Sequence, residues 1–66
     1  MKNNVKMHRA IVGITQQNLA EKIGVSRQTI NAIEGGKYVP STVLSLKIAR
    51  VFEKSMEELF SLEDSD

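Results

Sequence analysis

A chain of 66 residues, 41% hydrophobic and 26% charged, has ordinary globular composition and room for one domain with a small core. It holds no cysteine and a single histidine, His8, which excludes disulfides, thiolate metal sites and a zinc site built from histidines. The net charge of +1 hides an asymmetry: residues 1–50 carry eight Lys/Arg against Glu21 and Glu34, whereas residues 51–66 carry Lys54 against six acids, so a basic body adjoins an acidic end.

The pattern predicts a series of short helices. Asn4 is placed to cap a first helix of about residues 5–12, which Gly13 ends. Thr15 caps a second over 16–23, where Leu19, Ala20 and Ile23 fall at helical spacing, and Gly24 stops it. Ser26 caps a third over about 27–34, ended by the Gly35–Gly36 pair. Pro40 and Ser41 announce a fourth over about 42–52, with Leu44, Ile48 and Phe52 in one stripe. Ser55 and Glu58 have the spacing of a capping box for a last helix, 56–60. The polar tail SLEDSD is expected to fray. Strand signals are weak, and only residues 1–4 or 60–63 offer a short terminal β-ribbon. The expected fold is therefore all-α, with five helices in one domain over residues 1–66. No apolar run approaches the roughly 18 residues of a membrane span, and MKNNVKMHRA lacks the apolar stretch of a signal peptide, so a cytoplasmic protein is expected.

The segment from Gln16 to Gly35, QQNLAEKIGVSRQTINAIEG, is the most informative. It joins two helices by a turn too short for a loose connection. Gly24 sits where the chain must turn sharply, which glycine accepts at positive φ. Ala20, one turn earlier, lets the helices cross closely. Leu19, Ile23, Val25, Ile30 and Ile33 fill the angle between them. With Ile30 and Ile33 pointing inward, the third helix turns Arg27, Gln28 and Asn31 outward, with Thr29 and Ala32 at the edges. Arginine bonds the O6 and N7 of guanine in a bidentate fork, and glutamine and asparagine do the same with N6 and N7 of adenine. A face of amides beside an arginine, with no acid between Val25 and Ile33, suits a groove lined by phosphates.

This segment resembles the helix-turn-helix of the Xre family, the Cro and lambda-repressor-like regulators. The resemblance rests on Thr15-Gln16, Leu19-Ala20, Gly24-Val25-Ser26, Thr29-Ile30, Ile33-Glu34 and Gly36-Lys37. It continues through Tyr38, Pro40-Ser41, Leu44, Lys47-Ile48-Ala49 and Glu57-Glu58-Leu59-Phe60, and is closest to short stand-alone regulators containing SRQTIN. It implies a five-helix lambda-repressor-like fold and double-stranded DNA as partner. Arg27, Gln28 and Asn31 would read bases. Gln16 and Gln17 at the start of the second helix and Lys37 and Tyr38 in the loop after the third would contact the DNA backbone, and Ser26 and Thr29 would contact phosphate or support the recognition helix. An arginine of the first helix pairs with the glutamate ending the third in the family, so Arg9 and Glu34 are expected as a structural ion pair.

Three departures stand out. His8 occupies a position where leucine is usual and is expected to pack, partly buried. Met7 and Ile11 replace polar residues and form a small apolar stripe. Glu53-Lys54 replaces a glycine and an apolar residue before the last helix. One such domain makes few contacts, so a homodimer on a palindromic operator is expected, with Met56, Leu59, Phe60 and Leu62 as its interface and repression by occlusion as its mechanism. An antitoxin or adaptor role, in which the domain also binds a protein, is the main alternative; those proteins usually carry a further segment. Catalysis is not expected. There is no nucleophile–base pair, Gly35-Gly36-Lys37 lacks P-loop spacing, and Glu57 and Glu58 read as a solvated helix face. Neither a metal, a cofactor nor a small-molecule ligand is indicated.

Overall fold

In a computed structural model describing all residues from Met1 to Asp66, five helices and two short strands follow one another. Strand β1 is Lys2–Asn3. The helices are α1 (Val5–Val12), α2 (Gln16–Ile23), α3 (Arg27–Glu34), α4 (Thr42–Phe52) and α5 (Met56–Leu59), and strand β2 is Phe60–Ser61. The strands pair antiparallel, Lys2 opposite Ser61 and Asn3 opposite Phe60, and so join the two ends of the chain.

Local chemistry sets the helix boundaries. Thr15, Ser26, Ser41 and Ser55 each adopt extended backbone and accept a hydrogen bond from the N–H three residues on, satisfying a donor that the helix cannot. Ser55 and Glu58 form the expected reciprocal box, and Thr15 and Asn18 form a second. The Glu58 carboxyl lies below its ordinary value, chiefly because it accepts the Ser55 backbone N–H. At Gly24 φ is +76°, and a Cβ there would meet nothing within 4 Å. Backbone conformation rather than crowding therefore calls for glycine at this turn.

Two expectations about element ends are corrected. Asn4 precedes α1 but its side chain does not cap it: its backbone is not extended, and its Nδ2 donates instead to the Glu58 carbonyl at 3.3 Å. The Val5 N–H is accepted by Asn3 Oδ1 at 3.2 Å. The last helix ends at Leu59, because Phe60 is extended to pair with Asn3. The Gly35–Gly36 pair ends α3 as expected, Gly35 keeping helical dihedrals and Gly36 adopting φ +73°.

One apolar core lies between these elements. Leu19, Ala20 and Ile23 of α2 meet Ile30 and Ile33 of α3, with Leu44, Ile48, Ala49 and Phe52 of α4 behind them; Val5, Leu59 and Phe60 close the far side. His8 is half-buried, its ring centroid 6.0 Å from that of Phe52 and tilted, so an imidazole fills an apolar neighbour's place. Leu59 and Phe60, expected at a dimer interface, are buried in the chain's own core; with only short strands covering this end, both are needed to close it. No helix is long and apolar enough to cross a membrane.

Candidate nucleic-acid interface

The core decides which side of α3 is free. Ile30 and Ile33 are fully buried against α2 and α4, so the helical period turns Arg27, Gln28 and Asn31 to the surface. Thr29 and Ala32 are half-buried at the edges. The outer face thus holds one guanidinium and two amides and no acid, as the sequence predicts.

Polar contacts behind this face fix its position. Arg9 Nε donates to Glu34 Oε2 at 2.8 Å and Nη2 donates to Oε1 at 3.2 Å, a bidentate pair tying α1 to the end of α3. Arg9 Nη1 donates to the Ile14 carbonyl at 3.0 Å. Burial by itself would raise the Glu34 carboxyl, but hydrogen bonds from Arg9 and Gln16 and the charges of Arg9 and Lys6 outweigh it and hold it below its ordinary value. The same pairing raises Arg9, through its hydrogen bond to Glu34. Asn3 Nδ2 donates to the Ile33 carbonyl at 2.8 Å, so the N-terminal strand also grips the end of α3.

Gln16 opens α2 and is half-buried. Its Nε2 donates to Glu34 Oε1 at 3.0 Å and to Asn31 Oδ1 at 3.3 Å. The expected side-chain donation to a phosphate is thereby already engaged within the protein. What remains free at this helix end is the pair of first-turn backbone N–H groups of Gln16 and Gln17, which have no intrahelical acceptor. The Gln17 side chain donates to Glu21 Oε2 at 3.1 Å along α2. Asn31, with its carbonyl oxygen held by Gln16, keeps its amide N–H groups for an outside acceptor. Ser26 Oγ and Thr29 Oγ1 lie 3.0 Å apart and bond each other at the start of α3. Lys37 and Tyr38 are exposed just beyond α3.

Sequence reasoning missed Lys6. It lies three residues before Arg9 on α1 and lines a polar depression of about 230 Å³ with Gln16, Asn31, Glu34, Gly35 and Lys37. The one available signal was that i, i+3 spacing from Arg9, which puts both cations on one helix face.

A family profile described as helix-turn-helix matches residues 5–59. An HTH-type transcriptional regulator of Methanocaldococcus jannaschii is 53% identical over 66 residues, covering 100% of both chains. The HTH-type transcriptional regulator YgzD of Bacillus subtilis is 52% identical, again across 100% of both. One from Archaeoglobus fulgidus is 47% identical over 100% of this chain and 94% of its own. With α2, the Gly24 turn and α3 in this geometry, the chain belongs to the helix-turn-helix family of Xre and lambda-repressor-like DNA-binding transcriptional regulators.

Proposed function

We propose that the chain is a sequence-specific repressor that reads the DNA major groove as a homodimer on a palindromic operator. One observation carries the reading: the exposed, acid-free face of α3 bearing Arg27, Gln28 and Asn31, backed by two fully buried isoleucines. An α-helix fits the major groove, and these side chains match the acceptors and donors of base edges there. Arg27 and Gln28 are the direct readers. Asn31 is the third, its amide oriented by Gln16. The DNA backbone is gripped by the first-turn N–H groups of Gln16 and Gln17, by Ser26 and Thr29 at the start of α3, and by Lys37 and Tyr38 after it.

Size supports the dimer. The longest extent of the chain is 31 Å, and half-sites one helical turn apart are about 34 Å from centre to centre, so one copy covers one half-site. Leu62 and half-buried Met56, with Met1 beside them, rim an apolar depression of about 190 Å³ at the sheet end, and this is the surface offered to a second copy. A dimer seated on a promoter would block polymerase, and the work would take place in the cytoplasm on nucleoid DNA.

Footprinting on the region upstream of the protein's own gene tests the reading. Protection of two half-sites about one helical turn apart is expected. Protein that protects no stretch there and shows no binding to any duplex at low salt overturns it.

A further inference from the structure

We infer that Lys6 and Lys37 together form a seat for one DNA phosphodiester beside the reading helix, an assignment that rests on the DNA-binding function proposed above. The depression between them is lined by polar residues and glycine only, contributed by the start of α1, the start of α2, the end of α3 and the loop after it. At first sight Glu34 argues against an anion there. Its charge is, however, paired with the Arg9 guanidinium: Oε2 accepts from Arg9 Nε, and Oε1 accepts from Arg9 Nη2 and Gln16 Nε2. Counting Lys6, Lys37 and Arg9 against Glu34, the site carries a net charge of +2. Both lysines are exposed at the rim, and no hydrogen bond or ion pair to another protein group ties either ammonium down.

Position favours a backbone phosphate over a free anion. Asn31, a reader of base edges, lines the same depression, so a strand whose bases meet α3 runs its sugar-phosphate chain past the lysines. The first turn of α2 adds the unpaired N–H groups of Gln16 and Gln17 at the positive helix end. Three of the five Arg9 N–H donors serve Glu34 and Ile14 and its charge is paired with the Glu34 carboxylate, so Arg9 is assigned to holding α1 rather than to the phosphate. Lys6 is thus the member of α1 that reaches DNA, while Arg9 holds α1 in place for it.

The test measures the affinity of a mixed-sequence duplex between about 50 and 200 mM KCl. Each phosphate neutralised adds about 0.9 to the slope of log affinity against log salt. Because either ammonium alone still neutralises a shared phosphate, Lys6→Gln and Lys37→Gln are each expected to lower affinity across the salt range while keeping most of the slope. Because both ammonium groups serve one phosphate, the double variant should lose about 0.9 in total rather than about 1.8. Lys54→Gln, at the acidic end, should leave the slope unchanged, and far-UV circular dichroism should show all variants folded. A Lys6→Gln affinity equal to that of the unaltered protein at every salt concentration, or a double variant with an unaltered slope, overturns the seat while the DNA-binding reading stands. A double-variant loss near 1.8 overturns the sharing of one phosphate. If inorganic phosphate at low salt competes through Lys6 as well as the duplex does, the site is a free-anion site and the assignment fails. Unaltered protein that binds no duplex removes both this inference and the function beneath it.

Discussion

Replacing Glu34 by glutamine keeps the shape of the side chain and removes its charge. In the folded protein the Glu34 side chain is 4% exposed and that of Arg9 is 16% exposed. The substitution strips two charge-assisted bonds from the guanidinium and confronts Gln16 Nε2 with an amide in place of a carboxylate. Removing one partner of a buried pair costs about 3–5 kcal/mol. Arg9 retains the Ile14 carbonyl and some contact with water, which brings the expected loss to about 2–3 kcal/mol. A 66-residue chain has on the order of 3–10 kcal/mol of stability in all. Urea unfolding followed by circular dichroism, with a slope of about 1 kcal/mol per molar, should show the midpoint falling by about 2 M. The effect has a pH signature. A carboxyl held below its ordinary value contributes stability that is present above the unfolded-state value, about 4.3, and is lost as pH falls through the lower folded-state value. The gap between the two proteins should be constant from neutrality down to about pH 5 and shrink below about pH 4. Equal midpoints at pH 7, or a gap that persists undiminished to about pH 2, would refute the account of this pair.

Gln28→Ala should cost about 1–3 kcal/mol at the base pair it reads and leave binding to mixed-sequence duplex unchanged; equal loss on unrelated sequences in competition titrations argues against direct readout. Glu53→Gly should stabilise the fold by about 0.5–1 kcal/mol, since Glu53 is an exposed non-glycine residue at φ +53°; a lower melting temperature would show that this turn is not strained. Leu62→Glu, at a residue 81% exposed, should leave the monomer's melting curve intact and weaken self-association in sedimentation velocity; an unaltered dimer would move the interface elsewhere.

The helical frame was legible because its signals are local. Thr15, Ser26, Ser41 and Ser55 cap, and Gly13 and Gly24 stop, by chemistry that acts within four residues. The outward set Arg27, Gln28 and Asn31 was legible for a related reason: two isoleucines at i, i+3 fix the inner face. Features that depend on distant partners were not. The two strands have only two residues each, too few for alternation to register, and they exist because the chain ends meet. Asn4 turns from the expected local cap to the carbonyl of Glu58, and Asn3 Nδ2 reaches the carbonyl of Ile33, contacts 54 and 30 residues away in sequence. Leu59 and Phe60 were placed at a partner surface because an apolar residue in a small domain reads alike whether it closes the core or meets a second chain. Lys6 carried no motif, and only the packing of α1 against the end of α3 brings it opposite Lys37.

These non-local contacts explain how so small a core presents a defined reading surface. The outer face of α3 is connected to α1 by a continuous polar path: Asn31 Oδ1 to Gln16 Nε2, Gln16 to Glu34, Glu34 to Arg9, and Arg9 to the Ile14 carbonyl. Immobilising a long side chain on binding costs about 0.5–1.5 kcal/mol, and a side chain already held by this path is spared much of that cost. The same path commits the Glu34 carboxylate to internal donors, which removes its repulsion from the side where phosphates approach. Stability and recognition are therefore coupled at Glu34: the bonds that keep α1 on the fold also hold Asn31 in place and leave the lysines unopposed. Arg27 and Gln28 lie outside this path, so on the proposed function substitutions there change operator preference without touching the fold.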